Sequence, residues 1–317
     1  MAVYLNEDEV TALLDMPMAM DAVEQVMAAH ARGEVIDFPR QRVRLPGSIT
    51  HMLQGGVPAV NLTGFKVYTS AGGRARFWVH LFDATSGVAV AVLEADRLGM
   101  IRTGAAGGVA AKYLARSDAR IAGVFGGGWQ AEGQILALCA GRALERIKVF
   151  ARNRERLMAF CERMSRSTGF AVVPSSSAEE TVRGSDIVVT ITSSPKPLFE
   201  ADWLEPGVHI TAAGSNSLAR QELSEATVRR ADVVCVDARE TAIREAGDLM
   251  PLLEKGRTHP GRWVELGEVI TGARSGRTEP DQITLFESQG MAIQDIAVAA
   301  RVLQALPDHG VGTALPY

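Results

Sequence analysis

Six short apolar runs, at residues 121–125, 147–151, 170–173, 186–191, 208–212 and 233–236, punctuate the middle of the chain, each followed by a polar or glycine-containing loop. Continuous apolar runs of this length suit strands buried on both faces, and their alternation with helical stretches predicts a parallel, doubly wound sheet. The pattern upstream differs. Asn6 can cap a short helix through Leu14, and Pro17 can open a second helix that ends near Gly33. Residues 40–44, 59–69, 77–82 and 88–94 then read as strands, with a turn over 83–87, which predicts a mainly antiparallel sheet. A helix over about 98–115, rich in Ala and Gly, leads into the alternating region. Beyond Asp237, glycines break the chain into short segments up to the apolar Ile283-Thr284-Leu285-Phe286, and 292–306 reads as one amphipathic helix able to pack back on the first sheet. The predicted fold class is α/β: a Rossmann doubly wound parallel sheet plus a discontinuous α+β domain.

Charge and composition narrow the function classes. The 317 residues carry a formal net charge of −4 with no basic run, which argues against nucleic acid or an anionic membrane as partner. Cys139, Cys161 and Cys235 lie in apolar stretches and share no ligand spacing with the six histidines, so buried thiols and no metal site are expected. The N-terminal residues lack a basic segment followed by an apolar core, and no apolar run reaches membrane-spanning length, which makes the cytoplasm the expected location.

Candidate chemistry begins at the turn Gly126-Gly127-Gly128-Trp129-Gln130-Ala131, set between the first apolar run and a helical segment. Small residues there let backbone approach a pyrophosphate, and the helix start supplies N–H groups and a positive dipole end. Gly126, Gly128, Gln130 and Ala131 are therefore candidate contacts to a dinucleotide. Trp129 either covers the adenine or pyrophosphate or caps the helix face. The second run ends in Ala151-Arg152-Asn153-Arg154, where an NAD enzyme would place an Asp or Glu on the ribose 2′-hydroxyl. Two guanidiniums around a small polar residue suit a 2′-phosphate, so NADP(H) is the expected cofactor with NAD(H) possible; the alternative is that Arg152 and Arg154 are solvated residues opening a helix.

The first domain offers cations. Arg40, Arg42 and Arg44 alternate on one strand and share a face, Lys66 stands among apolar neighbours in Gly64-Phe65-Lys66-Val67-Tyr68, and Arg102 precedes the small residues Thr103-Gly104-Ala105-Ala106. Together they suit a carboxylate clamp, although each taken alone also fits a surface ion pair. His80 alternates with Trp78 and Phe82 and reads as a core or pocket-wall residue, while turn, cap and helix-start roles account for Asp83, Asp248 and Asp295.

Lys66, the run Arg102-Thr103-Gly104-Ala105-Ala106, the glycine turn, Pro206-Gly207-Val208-His209-Ile210, Glu245-Ala246-Gly247-Asp248-Leu249 and the tail Thr284-Leu285-Phe286-Glu287-Ser288-Gln289-Gly290-Met291-Ala292-Ile293-Gln294-Asp295 together resemble the ornithine cyclodeaminase/mu-crystallin family over essentially the whole chain. The resemblance implies a homodimer, with residues 1–116 as a substrate-binding and dimerisation domain whose strands join those of the partner subunit. Residues 117–288 would be the Rossmann NAD(P)-binding domain, and 289–317 a C-terminal helix returning to the first. It implies that Arg42 and Arg102 hold a substrate α-carboxylate, with Arg44 as substitute for Arg42, and that Lys66 stands beside the reacting C=N or C=O carbon. Thr103 would approach the cofactor phosphates, Thr192 the nucleotide, and Ser288 with Gly290 the nicotinamide edge.

One departure bears on the reaction. Cyclodeaminases and related alanine dehydrogenases carry an Asp where this chain has Asn216, and an amide cannot act as a carboxylate base. Ketimine reductase-like members also lack that Asp. The expected activity is thus NAD(P)H-dependent reduction of a small imino or ketimine carboxylate, of the pyrroline- or piperideine-carboxylate type, to an amino acid. The rivals are an ornithine cyclodeaminase-type ammonia-lyase with recycled NAD and a catalytically silent, NADPH-binding crystallin-like protein.

Overall fold

β1 (Val3–Leu5) leads into α1 (Glu7–Leu13), which starts where the sequence signals it: Asn6 accepts from the Glu9 N–H and the Glu9 carboxylate accepts from the Asn6 N–H, a reciprocal capping box. α2 (Met16–Ala31) is capped by Asp15, which accepts from the Met18 N–H, and has Pro17 in its first turn. Four ten-residue strands follow, β2 (Ile36–Leu45), β3 (Ser48–Val57), β4 (Leu62–Ala71) and β5 (Arg74–Asp83), then the shorter β6 (Ala89–Glu94). The computed structural model describes residues 2–316, and they divide into two compact units, residues 2–102 with 290–316, and Thr103–Gln289.

The first unit is built on a seven-stranded sheet in the order terminal strand (Thr313–Ala314), β1, β6, β5, β4, β3, β2, antiparallel except where β1 meets β6. Two sequence expectations are corrected here. β3 was not anticipated, because Ser48-Ile49-Thr50-His51 and Gln54-Gly55-Gly56 carry no clean alternation, yet it pairs along its whole length with β4. The strand expected from residue 59 begins at Leu62, because Pro58–Val60 form a 3-10 turn and Asn61 adopts a left-handed conformation at φ 53°. One sheet face buries Leu53, Val79, Leu81 and Leu93 on the side of the C-terminal helix Ala292–Ala305, against which α2 packs; each such side chain contributes about 1.5–3 kcal/mol. The opposite face carries half-buried Phe65, Trp78, His80 and Phe82, with Ile36, Phe38, Val43 and Leu45 more than half exposed.

α3 (Asp96–Leu114) carries the chain from the first unit into the second. The expected boundary after residue 116 falls instead inside this helix, between Arg102 and Thr103. The reason is packing. From Thr103 onward the helix is tied to α4 (Trp129–Gly141): the Gln134 amide donates to the Thr103 carbonyl at 3.2 Å, and any side chain at Gly104 would collide with the Gly133 backbone. At the other end the division falls between Gln289 and Gly290.

The second unit contains β7 (Ile121–Phe125), β8 (Arg146–Phe150), α5 (Arg154–Thr168), β9 (Val172–Pro174), β10 (Ile187–Thr190), β11 (His209–Ala212), β12 (Val233–Val236), β13 (Val264–Glu265) and β14 (Thr284–Glu287). They form one parallel sheet in the order β13, β12, β14, β11, β10, β7, β8, β9, with apolar clusters on both faces. This is a doubly wound α/β sheet of eight strands where six were expected. β14 is a strand not expected from the sequence, and it inserts between β11 and β12, so residues 233–236 pair with 284–287. Its four residues are all buried, and the run follows a glycine-broken stretch that interrupts the strand–helix alternation by which the other strands were read. Strand order reverses between β7 and β10, and in sheets of this type the crevice at such a reversal, outside the carboxyl ends of the strands, receives the ligand.

Candidate active site

The glycine turn lies at that reversal. Gly126 has φ +121°, and a Cβ there would stand 2.6 Å from the Ile191 carbonyl oxygen at the end of β10, so only glycine fits. Gly128 is the N-cap of α4, has no side-chain cap, and has nothing within 4 Å of where its Cβ would be. An open backbone turn at the start of a 13-residue helix fits the diphosphate of a dinucleotide, whose oxygens the first-turn N–H groups and the helix dipole would hold. Ala131 is buried under the turn, Gln130 is half-buried, and Trp129 is 49% exposed at the surface. At the end of β8 the expected trio separates. Asn153 caps α5 by accepting from the Arg156 N–H, and Arg154 donates to the Ser175 carbonyl at 3.1 Å. Arg152 remains exposed beside the strand end.

Thr192 follows β10, and its N–H donates to Glu222 at 2.6 Å. Ser288 follows β14 and donates to Asp237 at 3.2 Å, whereas Gly290 belongs to the first unit, where a Cβ would press within 2.5 Å of the Arg102 guanidinium. Thr103 is half-buried at the start of the second unit's part of α3. Asn216 is half-buried beyond β11 and accepts from Arg220 at 3.4 Å.

A carboxylate does lie close in sequence to Asn216, but it faces inward. Glu222 is fully buried, and its two oxygens accept the N–H groups of Thr192 and Gly214. Burial pushes its pKa up to about 7. Behind it, Asp248 accepts the N–H groups of Glu222 and Leu223 at 2.7 and 2.9 Å, which gives the residue read as a cap a definite structural role. Glu287 is buried beside Asp248, and burial together with that carboxyl holds it well above the ordinary carboxylate range.

In the first unit Lys66 and Arg102 come together, and the residue that joins them was not among the expected site residues. Asp295 accepts from Lys66 Nζ at 2.9 Å and from Arg102 Nε at 2.9 Å through the same oxygen, Oδ1. All three are buried, with Lys66 3%, Arg102 7% and Asp295 0% exposed, so the charges interact with little screening by solvent. Gln294 also accepts from Arg102, at 3.3 Å. Burial lowers the Lys66 pKa to about 8, with Arg102 and Arg40 acting in the same direction and Asp295 opposing. The Lys66 ammonium also lies 5.4 Å from the centre of the Phe77 ring. Asp295 is far more than a helix-start residue: an acid on the apolar face of a helix expected to pack on a lysine-bearing sheet was the available signal.

Arg42 pairs across the sheet with His51, which pairs with Tyr68 and then Phe77, and alternation puts this row on the Lys66 face. His51 and Tyr68 stack at 4.2 Å, and Tyr68 and Phe77 at 4.6 Å. Burial first, then Arg40, Arg42 and Arg44, drive the His51 pKa to about 4, so the imidazole is neutral at pH 7. Arg42 is half-buried, while Arg44, opposite Ile49, is exposed. His80 stacks on Phe65 at 4.8 Å on the other face, away from Lys66.

Residues 2–309 match the ornithine cyclodeaminase/mu-crystallin family. The chain is 36% identical to a Delta(1)-pyrroline-2-carboxylate reductase of Bacillus cereus over 240 residues, 75% of this chain and 74% of that protein. Its structure superposes on that of Thermococcus litoralis Delta(1)-pyrroline-2-carboxylate reductase in complex with NADH and L-proline with a TM-score of 0.94, at 29% identity, covering 99% of this chain and 100% of the other. An archaeal alanine dehydrogenase dimer with bound NAD matches with a TM-score of 0.94 at 30% identity, covering 100% and 99%. With its glycine turn at the strand-order reversal and its buried Lys66–Asp295–Arg102 set, the chain belongs to the ornithine cyclodeaminase/mu-crystallin family.

Proposed function

We propose that this protein is an NAD(P)H-dependent reductase of cyclic imino carboxylates, converting a Δ1-pyrroline-2-carboxylate or piperideine-2-carboxylate type of substrate to the corresponding cyclic amino acid. The observation that carries the reading is the buried cationic pair of Lys66 and Arg102 organised by one carboxylate. The Thermococcus litoralis relative, which holds NADH and L-proline, supports it.

The reduced nicotinamide supplies a hydride to the imine carbon when bound. Arg102, with Arg42, pairs with the substrate carboxylate through charge-assisted hydrogen bonds, which fixes the ring in place. Lys66 Nζ hydrogen-bonds the imine nitrogen and delivers the proton that the nitrogen gains as the C=N bond becomes C–N. Asp295 keeps the ammonium charged and aimed, since without a counter-charge burial would favour the neutral amine. Asn216 offers no carboxylate base for amine elimination, which favours reduction over cyclodeamination.

Three finer assignments belong to the same reading. Arg152 at the end of β8, where an acid would select NAD, makes NADPH the preferred donor with NADH accepted. The exposed apolar face bearing Ile36, Phe38, Val43 and Leu45 is the surface on which two copies pair as a homodimer, a reading supported by the archaeal alanine dehydrogenase dimer. The cytoplasm, with its pool of reduced nicotinamide cofactor, is where such an enzyme would work. The test is loss of NADPH or NADH absorbance with Δ1-pyrroline-2-carboxylate, with proline identified by mass. Lys66→Met should lose at least about 100-fold in kcat/KM. Wild-type turnover in that variant would overturn the assignment of Lys66, and ammonia release from ornithine without net cofactor consumption would overturn the reductase reading.

A further inference from the structure

We infer that Glu222 is a positioning residue for the cofactor, a buried clamp that holds the loops following β10 and β11 in the conformation that receives the nucleotide. The inference deepens the proposed function and rests on its reading of the second unit as the dinucleotide-binding one.

The two oxygens of Glu222 are divided between two loops. Oε1 accepts the Thr192 N–H at 2.6 Å and Oε2 accepts the Gly214 N–H at 3.0 Å, so one carboxylate ties the carboxyl end of β10 to that of β11. Gly214 makes room for it, since a Cβ at that residue would occupy the place of Glu222 Oε2. The carboxylate is itself anchored from behind: Asp248 Oδ1 accepts the N–H groups of Glu222 and Leu223, at 2.7 and 2.9 Å. A fully buried carboxylate incurs a large desolvation cost, and these backbone donors offset it only while both loops stay in place. The Gly214 bond is buried and the Thr192 bond partly buried, which limits competition from water.

Both loops lie at the carboxyl ends of adjacent parallel strands, beyond the strand-order reversal where this class of sheet receives its ligand. Thr192 is thus held by its backbone N–H and by a side-chain hydrogen bond to the same carboxylate, while its Oγ1 accepts the Ser194 N–H at 3.0 Å. Replacing the carboxylate by an amide puts an NH2 group against one of the two N–H donors and frees that loop, with no atom of the cofactor site itself removed.

Equilibrium binding of NADPH and NADH to Glu222→Gln, read by quenching of protein fluorescence, is expected to weaken at least 10-fold, while the KM for the imino carboxylate stays within 2-fold. Hydrogen exchange should show lost protection at the Thr192 and Gly214 amides and unchanged protection in the first unit. Glu222→Asp keeps the charge but shortens the reach, and should shift both readouts in the same direction by less. Wild-type cofactor affinity in both variants, or wild-type protection of both amides, overturns the clamp. Failure of the wild-type protein to bind either cofactor would instead overturn the functional reading, and the exchange measurement would still decide whether Glu222 holds the loops.

Discussion

Lys66 and Asp295 are 229 residues apart in sequence and meet at 2.9 Å, one on a central strand and the other on the C-terminal helix, both buried. The same Asp295 oxygen binds Arg102, so the position of each cation depends on the helix being docked. Breaking a buried ion pair by removing one partner leaves an uncompensated charge, at a cost of about 3–5 kcal/mol.

Asp295→Asn is therefore expected to change the pH profile of the reductase, not merely its rate. In the wild type the Lys66 ammonium titrates near 8, so activity that needs its proton should fall as pH rises through that value. Removing the carboxylate removes an interaction that raises the lysine pKa, and the alkaline limb of kcat/KM should move to lower pH by about one unit or more. Rates measured from pH 6 to 9 with a saturating cofactor decide the matter; an unmoved limb would show that Lys66 is not the titrating group.

Arg152 is exposed at the end of β8, whereas the Arg154 guanidinium, also exposed, donates to the Ser175 carbonyl. Arg152→Asp should weaken NADPH binding by about 10- to 100-fold, the range for one charge-assisted hydrogen bond, and leave NADH unchanged or improved. Paired Kd measurements for the two cofactors provide the check. Equal losses for both would mean that the residue acts on the loop and not on a 2′-phosphate.

Glu287 is protonated in the folded chain at pH values where the unfolded chain has released that proton. Stability should consequently fall as pH rises from the ordinary carboxylate range towards pH 7 and above, by up to about 1.4 kcal/mol per pH unit for each retained proton. Glu287→Gln keeps the shape and supplies a permanent donor to Asp248, so its melting temperature should depend less on pH and exceed that of the wild type at pH 8. Thermal melts across pH 5.5 to 8.5 test this, and a slope equal to that of the wild type would rule out Glu287 as the proton holder.

The glycine turn, the helix capped by Asn6 and the wound β/α alternation were legible in the chain because each depends on near neighbours: a left-handed φ, a side chain three residues from its donor, a run of apolar positions. Lys66 and Arg102 were legible as chemistry too, as charges lodged among apolar or small residues. The insertion of β14 between β11 and β12, the strand over Ser48–Val57 and the hydrogen bond of Arg154 to the Ser175 carbonyl were not. Those outcomes depend on pairing and packing between residues far apart in the chain, which no local pattern encodes. Asp295 shows the limit most clearly: its place in a helix could be read from periodicity, but its joint hold on Lys66 and Arg102 exists only once that helix lies across the sheet, where low dielectric makes one carboxylate decisive for two cations.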